Sequence, residues 1–211
     1  MIIQNLCFCI NNKYILNNTS FTIKKGERVA IIGLNGSGKT TLFKCISGLI
    51  TNYKGEITDN QNVGYLFDEL QLPSYLKVKD FYALHDIKKN ELTESFIRFE
   101  DFKNKYFNNL SLGYKKRLAF LGLLNKEILL LDEPFNGLDF ESLDILLSYI
   151  KNDLNKTYLI STHQVLHIEQ ICTHVIFMKN GKASEKFEIG EVINQYKDLK
   201  NAAKDIYKEL E

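Results

Sequence analysis

A chain of 211 residues with 45% hydrophobic and 25% charged side chains has ordinary globular composition, which excludes a disordered or fibrous protein and allows a sizeable core. With 27 basic against 26 acidic residues the formal net charge is +1, so there is no electrostatic case for a nucleic-acid or anionic-lipid surface. No apolar run approaches the roughly 20 residues that cross a bilayer, and the cysteines Cys7, Cys9, Cys45 and Cys172 lack zinc-type spacing. With no leader pattern in front of them, a reduced cytosolic setting is expected, and any work at a membrane would run through a partner.

In chain order, residues 1–27 alternate short β-rich runs with polar turns, "IIQNLCFCI", "NNKY" and "ILNNTSFTIKKGE", the pattern of an antiparallel β lobe. Cys7 and Cys9 flank Phe8 and would share one strand face, where packing is a better account than metal binding. "RVAIIG" is apolar almost throughout, as a parallel strand covered on both faces should be. "KTTLFKCISGLI" reads as a helix ending near Gly48. Between Pro73 and Lys126 strand signals fade, and "SYLKVKDFYALH" and "ELTESFIRFEDF" have helical spacing with starts at Ser74 and Thr93. A helical lobe is therefore expected over about 69–125. "EILLLDEP" and "TYLISTH" are buried-strand runs on either side of the helical "ESLDILLSYIKNDL", and "HVIFMKNGKAS" is a hairpin turning at Asn180-Gly181. In the tail, Val192, Tyr196, Leu199, Ala203, Ile206 and Leu210 alternate by helical steps, which predicts a last helix over about 190–211 docking one apolar stripe on its own chain. No repeat or linker divides the sequence, so the expectation is a single domain, 1–211, of the α/β class.

The motif "GLNGSGKT" lies between a strand and a helix, the context that gives it a mechanism. Its glycines let backbone N–H groups and the helix N-terminus converge on an anion. Gly33, Asn35, Gly36, Ser37, Gly38, Lys39, Thr40 and Thr41 are the candidate phosphate-binding residues, with Lys39 on the β and γ phosphates and the Thr40 hydroxyl on Mg2+. The apolar "ILLL" carries Asp132 and Glu133 to the carboxyl edge of the sheet, where open α/β sheets bind ligands. Asp132 would hold Mg2+ and Glu133 would act as general base on the attacking water. "NNLSLGYKKRL", residues 108–118, then poses a question: it opens a basic helix with a small hydroxyl, a glycine and no acid in its first turn, close to that acidic strand end. Ser111 and an exposed Gly113 amide would complement a triphosphate. Because the helical lobe is expected to project away from the phosphate loop, that triphosphate would be one held by another subunit.

The ordered set "GLNGSGKT", "LSLG", "ILLLDEP", "GLD" (137–139) and "STH" (161–163) resembles the nucleotide-binding subunit of ABC transporters over nearly the whole chain. The resemblance implies a P-loop NTPase fold of the ABC type, with a mixed central sheet beside the antiparallel β lobe and the helical lobe. It also implies a head-to-tail dimer of identical or different cassettes that encloses ATP, hydrolyses it with Mg2+ and drives a separate transmembrane permease from the cytoplasmic face of the membrane. Ser111 and Gly113 then belong to the signature motif, Asp139 to the dimer interface, and His163 to a switch at the γ phosphate with a catalytic role. His85, His167 and His174 are left as packing or solvated residues.

The sequence departs from the family at the places that set selectivity and coupling. Leu112 and Tyr114 stand where a second Gly and a Gln are usual in the signature, a form that resembles exporters more than importers. Asp68 stands where a Gln after "GYL" would contact Mg2+, so Asp68 is expected to ligate the metal, with Gln71 as a less direct substitute. The position of the adenine-stacking aromatic holds Ile10, with Phe8 and Tyr14 as neighbours, and Tyr14 could stack only if the turn were displaced. Permease contact falls to Phe67, Leu72, Tyr75 and Phe81, or these pack in the core. Two rivals remain: a soluble ABC ATPase serving a non-transport machine, and a small P-loop kinase. The kinase would need an arginine-rich lid, and 68–110 offers only Arg98.

Overall fold

Strand β3 (Arg28–Gly33) is apolar on both faces and has to be covered twice. In the computed structural model, which describes residues 1–70 and 72–210, Val29 and Ile31 join a core built from helix α1 (Lys39–Ile46) and a small sheet, whereas Ala30 and Ile32 join a core built from the other helices. The small sheet is antiparallel and three-stranded, in the order β2 (Lys13–Thr22), β1 (Ile2–Ile10), β4 (Lys54–Thr58). The central sheet runs β10 (Phe187–Glu188), β8 (His174–Lys179), β3, β7 (Thr157–Thr162), β6 (Ile128–Asp132), β5 (Val63–Leu66), with β9 (Lys182–Ala183) added to β8. Its four inner pairings from β8 to β5 are those of parallel strands, while β9 and β10 pair antiparallel, so the sheet is mixed as expected.

Register places the site. Ile32 pairs with Thr162 and Asp132 with Ser161, so β3, β7 and β6 end level with one another. Whatever follows Gly33, Asp132 and Thr162 meets at one edge.

The helical lobe holds α2 (Val78–Leu84), α3 (Glu91–Phe96), α4 (Phe99–Phe102), a single 3-10 turn (Phe107–Asn109) and α5 (Leu112–Leu121). Its starts differ from those expected. Residues 73–76 form a turn and Lys77 bridges Tyr106, which holds the backbone extended until Val78. Thr93 is the third helical residue rather than the start: its N–H bonds Asn90 Oδ1 at 2.9 Å while its hydroxyl accepts from Asn90 N–H at 3.0 Å, a reciprocal capping box. Ile97 then turns extended and divides the anticipated second helix into α3 and α4.

In the same core as the helical lobe, α6 (Phe140–Asn152) and α7 (Ile168–Ile171) precede β7 and β8. The tail is two helices, α8 (Ile189–Tyr196) and α9 (Leu199–Glu209), because Lys197 adopts φ +74° and Asp198 starts α9 by accepting from Asn201 N–H at 2.7 Å. The stripe survives the break. Val192, Leu199, Ala203 and Ile206 are buried in the core, and Lys179 Nζ ties Tyr207 O at 2.9 Å. Asn180 and Gly181 both take left-handed φ, the turn predicted between β8 and β9. Cys7 and Cys9 do lie opposite buried Phe8, but Cys9 is exposed and Cys7 only half-buried, so neither packs in the core. Among the described residues no helix is long and apolar enough to cross a membrane.

At the far edge of the sheet, Glu27 joins β3 to the segment after β9. Its carboxylate accepts from Lys186 Nζ at 2.7 and 2.5 Å and from Lys24 N–H at 2.9 Å. Burial works to raise its pKa, but these donors with the His174 ring outweigh it and hold the carboxyl below its ordinary value of 4.5. A depressed carboxylate pKa contributes stability above the unfolded value, lost as pH falls through the folded one. Glu27→Gln should therefore lower the thermal midpoint at neutral pH and flatten the decline that wild type shows below about pH 5, read by melts across pH.

Candidate functional site

The phosphate loop is held in a form only glycine permits at its end. Gly38 has φ +106°, and a Cβ there would stand 2.8 Å from Ile15 O of β2. Gly38 is also the N-cap of α1, with no side-chain cap and no acid in the first turn, so the helix's leading N–H groups are left for an anion. Ser37 Oγ is buried without a partner, a donor aimed into the same loop. Lys39 is 6% exposed, and its Nζ donates to Gly33 O at 2.7 Å and Leu34 O at 3.4 Å, with Glu133 Oε1 at 3.7 Å. Burial lowers its pKa, opposed by Glu133 and Asp132. An orphaned hydroxyl, an uncapped helix start and a caged ammonium are what a phosphate chain requires. Asn35 is exposed at the loop tip and Thr41 half-buried in α1.

Asp132 is 2% exposed at the end of β6 and collects hydroxyls. Thr40 Oγ1 donates to its Oδ2 at 2.8 Å, Tyr65 OH to the same oxygen at 3.0 Å, and Ser161 Oγ to Oδ1. Burial, then the Asp132 charge, pushes the Tyr65 phenol far up, so it remains a donor. A carboxylate beside the Thr40 hydroxyl is the hard-oxygen pair that suits Mg2+.

Glu133 follows in the left-handed region at φ +45°, unusual for a non-glycine residue and costing on the order of 1–3 kcal/mol. Its N–H reaches Ser161 O at 3.1 Å and Ser161 Oγ at 3.2 Å, and its carbonyl accepts from Lys116 Nζ at 3.1 Å. This turn aims the side chain at β7's end, where Oε1 stands 2.8 Å from His163 Nδ1. The structure thus brings together Lys39, Thr40, Asp132, Glu133 and His163.

The signature helix answers its question differently from expectation. α5 is not uncapped, since Ser111 Oγ accepts from Tyr114 N–H at 3.3 Å while remaining exposed. Nor is Gly113 exposed. It is buried where α5 meets α6, and a Cβ would run into Ser142 Oγ and come within 2.8 Å of Asp139 Oδ2, which is why glycine stands there. Asp139 caps α6 by accepting from Ser142 N–H at 2.8 Å, a bond that holds its carboxyl below the usual range. The basic run is not a solvated face: Lys116 and Arg117 are 1% and 2% exposed, Arg117 lying over the Tyr114 ring at 4.1 Å.

Two assignments meet other surroundings. Asp68, expected on the metal, has Oδ1 3.7 Å from Lys116 Nζ; Gln71 lies outside the described residues. Ile10 and Tyr14 are 50% and 55% exposed at the tip of the β1–β2 hairpin. Asn11 and Asn12 close it as a two-residue left-handed turn with Ile10 paired to Lys13.

Sequence reasoning passed over Tyr65, Ser161 and Lys116. Tyr65 and Ser161 sat inside quoted motifs, and strand register from Asp132 would have pointed at Ser161. Nothing local separates buried Lys116 from its half-buried neighbour Lys115.

The sequence pattern of the ABC transporter family matches residues 16–136, more than half of the chain. The chain belongs to this family. As an ABC transporter ATP-binding subunit it is 32% identical, over 99% of its length and 86% of the relative's, to an uncharacterised ABC transporter ATP-binding protein of Methanocaldococcus jannaschii. Among solved structures it resembles an ATP-binding subunit of an ABC transporter, with TM-score 0.79, 24% identity and 92% of each chain covered. It also resembles a bacterial ABC transporter cassette solved as a dimer, with TM-score 0.74, 23% identity, and 89% of this chain and 97% of the other covered. Both share the ABC subunit's fold. The matched segment holds the phosphate loop, signature and acidic pair and ends before Asp139 and His163.

Tyr65→Phe removes one of the donors on Asp132. We expect Mg2+-dependent ATP binding to weaken by roughly tenfold, as loss of an outer partner of a metal ligand does, and metal-free ATP binding to hold, both measured by calorimetry.

Proposed function

We propose that this ABC subunit hydrolyses ATP in a head-to-tail dimer of cassettes, identical or different, to drive a separate transmembrane permease. The observation that carries the chemistry is Glu133 Oε1, 2.8 Å from His163 Nδ1 and 3.7 Å from Lys39 Nζ at the mouth of the phosphate loop. Ser37, Lys39 and the α1 N-terminus bind the phosphates, and Thr40 with Asp132 would hold Mg2+. When bound there, the cation would supply charge neutralisation to the phosphates. Glu133 accepts the proton of the attacking water as its oxygen joins the γ phosphorus and the bond to ADP breaks, while His163 orients the carboxylate. ATP-binding proteins of this family provide the precedent for the substrate.

Ser111, exposed at the start of α5, would meet the triphosphate held by the other cassette, with Asp139 and Gly113 shaping the α5–α6 corner beside it. Support comes from exposed apolar side chains around this edge: Leu34 on the phosphate loop at 66%, and Leu112 and Phe140 at the starts of α5 and α6 at 43% and 86%. For the permease, a groove of about 570 Å3 between β5 and the helical lobe is lined by Phe67, Leu70, Leu72 and Phe81 among others. Phe81 is buried and Tyr75 is 78% exposed outside it, so Phe67 and Leu72 are the contacts we assign. Such a subunit sits on the cytoplasmic face of the membrane, and export is the direction its signature favours. The competing soluble machine is separated by affinity purification from detergent extract, where a copurifying membrane protein supports the permease.

Glu133→Gln should bind ATP without hydrolysing it and run as a dimer in gel filtration only when ATP and Mg2+ are present; a monomer under those conditions counts against the enclosed-nucleotide dimer. With aliphatic Ile10 in place of a stacking ring, GTP should compete with ATP to within about tenfold, measured by displacement of a fluorescent nucleotide.

A further inference from the structure

Lys116 lies just over one turn into α5, and no step described above uses it. A buried ammonium persists only where its donors are met and its charge answered. Two donors go to backbone carbonyls, Glu133 O at 3.1 Å and Asn136 O at 3.0 Å, and the Asp68 carboxylate stands 3.7 Å away. Those carbonyls are the two ends of a single turn, closed by Asn136 N–H to Glu133 O at 3.2 Å, and the turn begins at the strained Glu133. Left-handed backbone at a side-chain-bearing residue holds only when its surroundings over-determine it. Ser161 grips the Glu133 N–H from the sheet; Lys116 grips its carbonyl from the helical lobe. Burial works against the Lys116 charge, and Asp68 is the first of the groups that restore it.

We propose that Lys116 is a positioning residue for Glu133 and that Asp68 is its counter-ion, so that the segment after β5 and the helical lobe together set the aim of the carboxylate. This rests on the reading of Glu133 as the base. It gives Asp68 a role other than metal ligation, as the nearest carboxylate partner of the buried ammonium.

The test is steady-state ATP hydrolysis by the full chain with Mg2+, comparing Lys116→Met, Lys116→Gln and Asp68→Asn, with Glu133→Gln as reference. Lys116→Met should lower kcat by roughly 10- to 100-fold, the usual cost of a misplaced catalytic group, with KM for ATP changed by less than about threefold. Lys116→Gln, whose amide still donates to a carbonyl, should recover at least part of that loss, and it preserves the readout where the methionine variant does not fold. Asp68→Asn should lower kcat by about threefold or more while leaving the Mg2+ titration midpoint in place. Full kcat in a folded Lys116→Met, equal losses for the methionine and glutamine variants, or a shifted Mg2+ midpoint in Asp68→Asn each overturns the proposal. Loss of activity in Glu133→Gln beside a fully active Lys116→Met sinks this inference alone; a fully active Glu133→Gln sinks the assignment of the base as well.

Discussion

Four charged side chains are packed at one sheet edge with almost no water: Lys39, Lys116, Asp132 and Glu133 are 6%, 1%, 2% and 8% exposed. Any one of them alone would be prohibitively costly to bury, and together they are tolerated because each is hydrogen-bonded or paired. Lys39 answers Glu133, Lys116 holds the backbone beneath it, and Asp132 is saturated by three hydroxyls. The fold around this cluster serves to keep those partners in register. Level strand ends bring Ser161 to both acids, and the glycine at position 38 lets the phosphate loop close against β2.

That arrangement also explains why the helical lobe is joined to the chemistry within a single chain. α5 presents three surfaces to three neighbours. Its exposed start offers Ser111 outward, its glycine admits α6 to within side-chain contact, and Lys116 reaches the turn that carries Glu133. A shift of α5 relative to the sheet has to strain or release that turn, because a close-packed corner with no Cβ at 113 has little slack. The proposed enclosure of nucleotide outside and the proposed aim of the carboxylate inside would therefore be linked through α5.

Motifs with a fixed local geometry were legible before any coordinates. "GLNGSGKT" between strand and helix, "ILLLDEP" at a sheet edge and Asn180-Gly181 at a hairpin tip each encode their own backbone conformation, and they stand where the pattern put them. Helix boundaries in the lobe and the tail were less legible. The extended Ile97 and the left-handed Lys197 carry no glycine or proline, and Pro73 opens its turn five residues before α2 begins, so hydrophobic spacing ran through these breaks.

The sequence by itself determined which chemistry is present: a phosphate cradle, an acidic pair, a histidine after a buried strand, and the order that marks an ABC cassette. Only the tertiary structure decided the partners. It put Lys116 under Glu133 rather than in solvent, Asp68 beside Lys116 and Gly113 inside a helix junction. The reason is that side-chain periodicity reports which face of an element is apolar, whereas a buried charge is licensed by groups far away in sequence. For Lys116 those groups are 17 and 20 residues downstream, beyond the reach of any local pattern.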